Sequence, residues 1–514
     1  MGETSPEATD AESKNDASLQ QNGAVNTEPY IPTDNGHSGT VQNRKTANTK
    51  TNGNSKFSSS EVPERAFDPP DRNEIINLSV LPSFVQVAGV IMLLWPLLFV
   101  WVFWVACHSY RCSLGMAGSN LLSALRNYSI LRYIRDHIPA VTPKSLVVYF
   151  GWMMLQIILY LTLPGKKTKG QVTPAGHQLN YICNGLNAWI VSHVAFLALV
   201  FAGVIQMSVI ADHWGSLLVI ANCFGIFLSC FAYLKALCFP THPSDRCFSG
   251  SFFYDFYMGI ELNPRIGAFD FKLFFNGRPG IAAWTLINLS FAAKQFSTYG
   301  YITNSMVLVN ILHAMYVVDY FMNEDWYLRT IDIAYDHFGF MLAWGDTVWL
   351  PFMYTLQSCY LLYNPIILPW WGVIFVLTLG LSGYAMFRSI NAQKDYFRRE
   401  MYKNGKCVIW GRPARYIPAA YTTSLGEHKQ TYLLAAGWWG QARHLNYLAD
   451  FMNALSYGLA CGFGHVLPYF YFVFIFFLLL HRSYRDDIKC RQKYGAAWQK
   501  YCRLVPYKIV PYLY

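Results

Sequence analysis

Long apolar runs separated by short polar connections fill the chain from about residue 84 to residue 480. An apolar run of about 20 residues is long enough to cross the hydrocarbon core of a bilayer as an α-helix. The pattern predicts such helices over 84–107, 146–163, 188–210, 216–239, 281–293, 304–321, 347–363 and 367–387. A further run, 452–480, is either one kinked span or two short spans with a break near Gly462, Gly464 and Pro468. We therefore predict an all-α polytopic membrane protein with about nine or ten transmembrane helices.

The polar head of the chain differs from the rest. Residues 1–72 are rich in Ser, Thr, Asn, Asp, Glu and Gly. Such a segment has too few apolar side chains to offset the entropy lost on ordering, so we expect a disordered extension. The remainder divides into an apolar region, 73–387, and a more basic membrane module, 388–514.

Composition and charge agree with this class. The 514 residues are 53% hydrophobic and only 14% charged, which excludes a soluble globular protein. The net charge of +10 comes from basic residues beside apolar runs, so we expect no nucleic-acid partner. From Arg482 onward there are eight Lys or Arg and two Asp, which predicts a cytosolic C-terminus. The twelve cysteines sit mostly inside apolar runs and are interpreted as buried reduced side chains, with no disulfide framework and no metal site.

An acidic stretch lies between two of the predicted spans. Asp325, Arg329, Asp332 and Asp336 are spaced by four, three and four residues, which would place them on one face of a helix. Charges at this position must face a protein interior or a wet cavity, and they mark a functional site by default. The alternative is an ion-pair network centred on Arg329 that only satisfies buried charge.

A second polar concentration ends the chain, in the stretch 434–501. Cations that could bind phosphate groups are Lys394, Arg398, Arg399, Arg443, Arg485 and Lys493. No G-x-G-x-x-G motif follows a strand, and no clear strand is present, so a Rossmann domain is not expected. A nucleotide site here would be built from helices. The alternative is a basic cluster that contacts anionic lipid headgroups.

The chain resembles the sterol reductase family. The resemblance is carried by the stretch 434–501, by Glu261-Leu262-Asn263-Pro264-Arg265 and by the run 332–346, and it covers roughly 73–514. Three motifs, Asn276–Gly280, Trp284–Gln295 and Asp336–Gly339, are most similar to family members that reduce the C7–C8 double bond of sterols. Delta-14 sterol reductases tend to have Glu-Leu in place of Asn276-Gly277. The C-terminal part is also similar to the isoprenylcysteine carboxyl methyltransferases, which share a helical cofactor-binding module with the family.

This resemblance implies NADPH-dependent reduction of the C7–C8 double bond of 7-dehydrocholesterol or related delta-5,7 sterols in the endoplasmic reticulum membrane. It makes 73–387 the sterol-binding region and 388–514 the NADPH-binding module. The implied partners are the sterol, the lipid bilayer and other enzymes of sterol biosynthesis. The implied cofactor-binding residues are Lys394, Arg398, Leu434, Trp439, Asn446, Tyr447, Asp486, Cys490, Arg491, Gln492, Lys493, Tyr494 and Tyr501.

The implied reaction also requires an acid. An alkene without an electron-withdrawing group accepts hydride only if it is protonated beforehand or at the same time, so the protein must position a proton donor. The candidates are Glu324, Asp325, Tyr327, Asp332, Asp336 and His337, with Glu324 considered first. Burial raises the pKa of a carboxyl group and can keep it protonated near neutral pH.

Three other functions remain open. A delta-14 sterol reductase is the nearest. A methyltransferase would use S-adenosylmethionine, a cofactor without phosphate, and would leave Lys394, Arg398 and Lys493 without a role. A non-catalytic sterol-binding scaffold would be expected to carry a folded basic head, whereas residues 1–72 are short and bland.

Overall fold

Helices dominate the computed structural model, which describes residues 82–422 and 426–514. They are α1 (Pro82–Tyr110), α2 (Leu114–Arg126), α3 (Ile130–His137), α4 (Pro143–Thr162), α5 (Gly185–Phe201), α6 (Val209–Asp212), α7 (Trp214–Cys238), α8 (Phe252–Met258), α9 (Phe271–Gly277), α10 (Pro279–Tyr299), α11 (Asn304–Met322), α12 (Glu324–Tyr327), α13 (Ile331–Ala334), α14 (Phe340–Trp344), α15 (Leu350–Met353), α16 (Leu356–Tyr363), α17 (Trp370–Asn404), α18 (Leu445–Leu459), α19 (Phe470–Tyr494) and α20 (Ala496–Leu504). The predicted extension 1–72 lies outside the described residues.

Six helices in the described part are long and apolar enough to cross a membrane: most of α1, then α4, α7, α11, α17, and α19 with the short turn before it. The prediction of nine or ten spans is therefore not met by this criterion. Helix α5 is apolar but has only 17 residues. Helix α10 is 21 residues long, yet it buries polar side chains such as Asn288 and Gln295 inside the protein.

The predicted span 347–363 is not one helix. A π-helical turn, Gly345–Trp349, comes first, and the two short helices α15 and α16 follow it. Two glycines allow neighbouring helices to approach this turn. A Cβ on Gly280 would lie 2.7 Å from the carbonyl oxygen of Asp346, and one on Gly225 would lie 2.7 Å from Thr347 Oγ1. Helices α10 and α7 can therefore pack directly against the π-turn, a type of irregularity that is frequent at functional sites.

The chain breaks where the glycines and proline of the last apolar run predicted it. Helix α18 ends at Leu459, and a 3₁₀ turn, Leu467–Tyr469, leads into α19. The break within 452–480 is therefore confirmed, but the two predicted short spans are not: α18 begins already at Leu445, and of the two helices α19 with the turn before it is the one long and apolar enough to cross a membrane.

Strands are present, contrary to the all-α prediction, although the fold is mostly helical. They form four separate antiparallel pairs, β1 (Lys166–Val172) with β2 (Gln178–Cys183), β3 (Arg265–Ile266) with β4 (Phe269–Asp270), β5 (Val408–Ile409) with β6 (Arg412–Pro413), and β7 (Tyr416–Thr422) with β8 (His428–Leu434). The last pair runs in register from Tyr416 opposite Leu434 to Thr422 opposite His428. It packs beside the C-terminal helices and delivers Leu434 to the predicted cofactor region.

Of the several apolar cores in the described chain, two position the site. The large core surrounds the fully buried Trp284 and joins α1, α7, α10, α11, α16 and α18. A small core joins the second half of α17 to β8 and to the start of α18, with Phe397, Leu434, Trp439 and Leu445 at its centre. The boundary predicted between 387 and 388 falls inside the unbroken helix α17. The described residues all belong to one compact unit.

The cysteine interpretation needs correction. Cys107 and Cys112 form a disulfide between the end of α1 and the start of α2. Cys223, Cys230 and Cys238 on α7 are exposed, not buried. The buried reduced state holds for Cys359, Cys407 and Cys461.

Candidate functional site

Helix α19 joins the two polar regions that the sequence singles out. Arg482 donates to both carboxylate oxygens of Asp332, at 2.8 and 2.9 Å. One turn further on, Arg485 donates to Asp336 at 2.9 Å. Lys489 then lies over the ring of Tyr335, 4.1 Å from its centroid. The acidic stretch and the C-terminal module, about 150 residues apart in sequence, therefore meet on one helix.

The acidic stretch itself is not a single helix. It consists of the one-turn helices α12 and α13, so the prediction that Asp325, Arg329, Asp332 and Asp336 share a helix face is wrong. The exposed Arg329 is not the centre of an ion-pair network either. Each carboxylate pairs with a cation from a distant segment. These pairings, rather than the local spacing of the acidic residues, determine the backbone conformation here.

Glu324, the first candidate proton donor, is buried in such a pairing. Arg278 Nη2 lies 2.6 Å from Glu324 Oε1, and the backbone N–H of Gly185 donates to Oε2 at 2.8 Å. Arg278 is itself fully buried. Nearer the surface, Lys166 pairs with Asp325 at 2.8 Å. Both carboxylates are therefore bound to cations that hold them in place.

Lys272 binds the backbone of the acidic stretch. Its ammonium group donates to the carbonyl oxygens of Ile333 and Asp336, at 2.6 and 2.9 Å. The side chain is completely buried, and this burial lowers the pKa of Lys272 to about 7, against the opposing effect of Asp270, Asp336 and Asp332. The position of Asp336 is thus fixed by a backbone contact as well as by its ion pair with Arg485.

Tyr327 is the one predicted donor that is not a carboxyl group. Its hydroxyl donates to Asn276 Oδ1 at 2.8 Å. Its ring packs edge-on against that of Tyr320, with centroids 5.1 Å apart. The buried amide of Asn276 is in turn fixed by donating to the carbonyl oxygen of Lys272. Tyr327 therefore belongs to the same network as the acidic stretch.

In the C-terminal module, the predicted cofactor residues gather around Trp439. The Lys394 ammonium lies 4.2 Å from the centroid of the Trp439 ring. The Trp439 indole N–H donates to the carbonyl oxygen of Ile390, and Leu434 packs in the same small core. The Tyr501 hydroxyl contacts the Trp439 carbonyl oxygen at 3.4 Å. A cation is thus held above a rigid aromatic platform.

Asp486 forms the next part of this surface. It lies 3.5 Å from His444 Nε2, and the Cys490 thiol contacts it at 3.8 Å. Burial lowers the pKa of His444 to about 4, assisted by the nearby charge of Lys394, so His444 is neutral at physiological pH. Its ring stacks on Tyr447, with centroids 4.8 Å apart. The sequence placed His444 beside the predicted site but gave it no role.

The remaining predicted residues lie at the end of α19. Lys493 sits over the ring of Tyr421 at 3.9 Å, and Tyr494 meets the same ring edge-on. Arg491 and Gln492 are exposed, and Arg491 pairs with Asp487 one turn back. Tyr421 belongs to the β7–β8 hairpin, which the sequence analysis did not predict.

Three of the proposed phosphate ligands already have carboxylate partners, and Arg399 is one of them, since it pairs with Asp395. The guanidinium group of Arg443 is buried and bound to Asp487 at 3.0 Å, to Cys502 and to the carbonyl oxygen of Pro506. Arg485 is bound to Asp336. Arg443 is therefore a structural residue, and Arg485 connects the module to the acidic stretch.

The other residues fit a phosphorylated nucleotide. Within the described part of the chain, Lys394, Arg398 and Lys493 have no carboxylate within ion-pairing distance. Phosphate groups bind to unpaired cations of this kind. Asn446 Oδ1 is buried without a hydrogen-bond partner among the described residues, and a carboxamide N–H would satisfy it.

A tyrosine cluster, Tyr316, Tyr354, Tyr457 and Tyr471, adjoins the Arg482–Asp332 pair, and the sequence analysis missed it. Tyr316 and Tyr354 pack against Trp284, with centroids 5.4 and 5.5 Å away. Tyr316 interacts electrostatically with Asp450, Arg482, Asp319 and Asp332, which come from different segments. The residue nevertheless keeps 37% of its surface exposed, and its hydroxyl has no hydrogen-bond partner in the described chain. The sequence signal that could have indicated Tyr316 is a tyrosine within the apolar run 304–321.

Comparison with known proteins adds independent information. The ergosterol biosynthesis ERG4/ERG24 family matches residues 87–514. A protein named 7-dehydrocholesterol reductase from Xenopus laevis is 47% identical over 446 residues, which cover 84% of this chain and 93% of the relative. Its namesake from Danio rerio is 46% identical, with 84% and 91% covered. A Delta(14)-sterol reductase from Methylotuvimicrobium alcaliphilum is 42% identical over 379 residues, with 74% and 85% covered.

Proposed function

Since the chain belongs to the ergosterol biosynthesis ERG4/ERG24 family of sterol reductases, we propose that it reduces the C7–C8 double bond of a delta-5,7 sterol with NADPH. The observation that carries the choice of this bond is the similarity to two relatives named 7-dehydrocholesterol reductase, at 46–47% identity over 84% of the chain. The relative named Delta(14)-sterol reductase is less similar and covers less of the chain.

In this proposal the C-terminal module binds the nucleotide. Lys394, Arg398 and Lys493 would bind its phosphate groups, since they are cations without carboxylate partners in the described chain. The amide of Asn446 and the carboxylate of Asp486 would serve the nicotinamide and ribose groups. When bound, NADPH supplies the hydride, and this chain's own side chains orient the sterol and supply the proton.

The carboxylates Glu324, Asp325, Asp332 and Asp336 are each already paired with a cation. A hydroxyl without such a partner is therefore the better candidate for the proton donor. Tyr316 fits this role because its hydroxyl has no partner in the described chain and the residue is partly exposed. Arg482 acts on Tyr316 against the negative charges of Asp450, Asp319 and Asp332, and it would help to stabilise the phenolate left after proton transfer. Tyr327 would be a second donor, but its hydroxyl is already bound to Asn276.

We also propose on which side of the membrane the C-terminal module lies. The basic end of α19 and the chain after it would lie on the cytosolic side of the endoplasmic reticulum membrane, because positively charged flanks of membrane spans are retained there. Cytosolic NADPH could then reach the module directly.

The decisive experiment measures both candidate reactions in one preparation. Microsomes that contain the protein are supplied with NADPH and either 7-dehydrocholesterol or a delta-8,14 sterol. We expect loss of the conjugated-diene absorbance of 7-dehydrocholesterol and a turnover at least tenfold slower with the second sterol. Loss of the 8,14 diene with retention of the 5,7 diene would instead support the second candidate, a delta-14 sterol reductase, which the 42% identical relative favours.

A further inference from the structure

A deep apolar cavity of about 450 Å³ lies away from the proposed reaction site. Its walls come from α4, from α5 and the segment after it, from the first turns of α7 and α10, and from the π-turn with α15. Residues of α17, α18 and α19, which carry most of the proposed cofactor residues, are absent from the wall. The tyrosine cluster is absent from it as well. The cavity is therefore separate from the surface on which reduction is proposed.

The outer rim of the cavity is open and apolar. Val147 on α4 and Val204 after α5 are 73% and 67% exposed. In a membrane-spanning protein, such exposed aliphatic side chains face lipid chains. A ligand would therefore enter from the bilayer.

The inner end holds one buried polar group that lacks a partner. Asp346, on the π-turn, lines the cavity and is nine-tenths buried, and its Oδ2 has no hydrogen-bond partner among the described residues. The wall also contains the hydroxyl groups of Tyr149, Ser192 and Thr347. Ser192 Oγ donates to the carbonyl oxygen of Ala188, and Thr347 Oγ1 donates to that of Ala343. A buried carboxyl oxygen without a hydrogen-bond partner is unfavourable, so the position of Asp346 favours a ligand that brings one hydroxyl group.

From these observations we propose that the cavity binds a second sterol molecule, with its hydroxyl donating to Asp346 and its ring system against the apolar wall. The volume lies in the range of small-molecule pockets, roughly 300–1,000 Å³. A rigid apolar body with a single hydroxyl satisfies both the wall and the carboxylate. A phospholipid acyl chain could fill the space, but its apolar end would leave Asp346 Oδ2 unsatisfied.

This site would act beside the reaction and not in it. Asp346 lines the cavity and also interacts electrostatically with Tyr320 and Tyr327, so it connects the cavity with the acidic stretch. The backbone of Gly280 packs so closely against the carbonyl oxygen of Asp346 that even a Cβ would clash there. The π-turn therefore has little room to move independently of α10. An occupied cavity would therefore hold the π-turn in place next to Tyr327.

The test counts bound sterols on the full-length protein. The purified chain in sterol-free phosphatidylcholine nanodiscs is titrated with radiolabelled cholesterol, which has no C7–C8 double bond, in the absence of NADPH. We expect two molecules per chain. Ala283→Phe, which fills the cavity from α10, should reduce this to one, and Gly151→Phe should do the same from α4, where a Cβ meets open space. Both variants should keep kcat/KM for sterol reduction within about twofold.

Further variants identify the acceptor. Asp346→Asn keeps an amide oxygen and should retain the second site, whereas Asp346→Leu should weaken it at least tenfold. Ala198→Phe, on an exposed position of α5 outside the wall, is the control and should still bind two.

Several outcomes would overturn the proposal. One sterol per chain in the wild type and in both filled variants would mean that lipid chains occupy the cavity. Loss of binding together with loss of reduction in Ala283→Phe and Gly151→Phe would make the cavity part of the substrate path. Because binding is measured without NADPH, absence of C7–C8 reduction would contradict the proposed function and leave this count unaffected.

Discussion

Arg482 binds both carboxylate oxygens of Asp332 from a single guanidinium nitrogen, at 2.8 and 2.9 Å. The two residues are 150 positions apart, and each is about one-quarter exposed. This pair and its neighbour, Arg485 with Asp336, attach the acidic stretch to the helix that ends the proposed nucleotide-binding surface. The contact between Arg482 and Asp332 thus helps to connect the proton side with the hydride side of the proposed reaction.

If this contact aligns the two halves of the site, its removal should be non-additive. Arg482→Ala and Asp332→Asn should each lower kcat/KM for the sterol about tenfold, and the double variant should be no worse than either. That result corresponds to a coupling free energy of about 1.4 kcal/mol. The exposed pair Arg135 and Asp136 is the control and should show no coupling. Fully additive losses would mean that the two residues act separately.

The phosphate-binding role of α17 is tested by changing Lys394 and Arg398 together to Ala. Loss of two charged contacts to phosphate should raise the apparent KM for NADPH tenfold or more, with a smaller effect on kcat. Arg399→Ala and Lys403→Ala, on the same helix, form the matched control, since Arg399 already pairs with Asp395. An unchanged KM for NADPH would remove Lys394 and Arg398 from the cofactor site.

Proton donation by Tyr316 makes a different prediction. Tyr316→Phe removes only the hydroxyl, so kcat should fall about 100-fold, the size of a typical general-acid contribution, while NADPH affinity stays within twofold. Tyr360→Phe, which removes a hydroxyl bound to His465, should retain activity and serves as the control. If Tyr316→Phe is fully active and Tyr327→Phe is not, the donor is Tyr327.

Glu324 can be tested as a structural residue against its role as the first candidate donor. Glu324→Gln or Arg278→Met alone leaves a buried charge unpaired, which costs about 3–5 kcal/mol and should reduce the folded yield severely. The double variant removes both charges and should recover the yield and much of the activity. A folded double variant without activity, judged by fluorescence-detected gel filtration and turnover, would restore Glu324 as a catalytic candidate.

The buried His444 should make stability depend on pH. The pKa of His444 is lowered to about 4 in the folded chain, against 6.5 normally, because burial disfavours its charge. Above pH 6.5 both states leave the imidazole neutral, whereas between pH 6.5 and 4 only the unfolded state takes up the proton. Stability should therefore fall as the pH decreases through this window.

The measurement compares melting temperatures in detergent at pH 7.5 and 5.5. His444→Gln should lose less of its Tm between the two pH values than the wild type. His428→Gln, on the exposed hairpin, should behave like the wild type. An equal loss of Tm in all three proteins would assign the pH dependence to other groups.

The apolar pattern predicted the long helices well because a membrane-spanning helix requires a continuous run of apolar residues, which the local sequence shows directly. The range predicted as 304–321 is Asn304–Met322 in the structure, and 216–239 is Trp214–Cys238. The prediction of one helix over 347–363 is wrong. Glycines on α7 and α10 allow these helices to pack closely against this segment, where the structure has the π-turn and not a regular helix. That approach is a tertiary contact, which hydropathy does not record.

The sequence offered candidate residues for the acidic stretch but could not predict their pairings. Spacing suggested one helix face for Asp325, Asp332 and Asp336, whereas Lys166, Arg482 and Arg485 bind them from far along the sequence. Long-range partners of this kind leave no local signal. Tyr316 and Asp346 were missed as site residues because a single polar residue near or in an apolar run is more often a packed residue than a functional one.

Helix α17 has one further implication. Its 35 residues form an unbroken rod of about 52 Å, while the hydrocarbon layer is about 30 Å thick, so roughly two-fifths of the rod projects into water with Lys394 and Arg398 on it. A stiff rod converts any change in its tilt into a change in the height of its tip. Membranes of different thickness would therefore place the end of α17 that carries Lys394 and Arg398 at different distances from their surface. The position of these two cations would then depend on the thickness of the membrane that contains the protein.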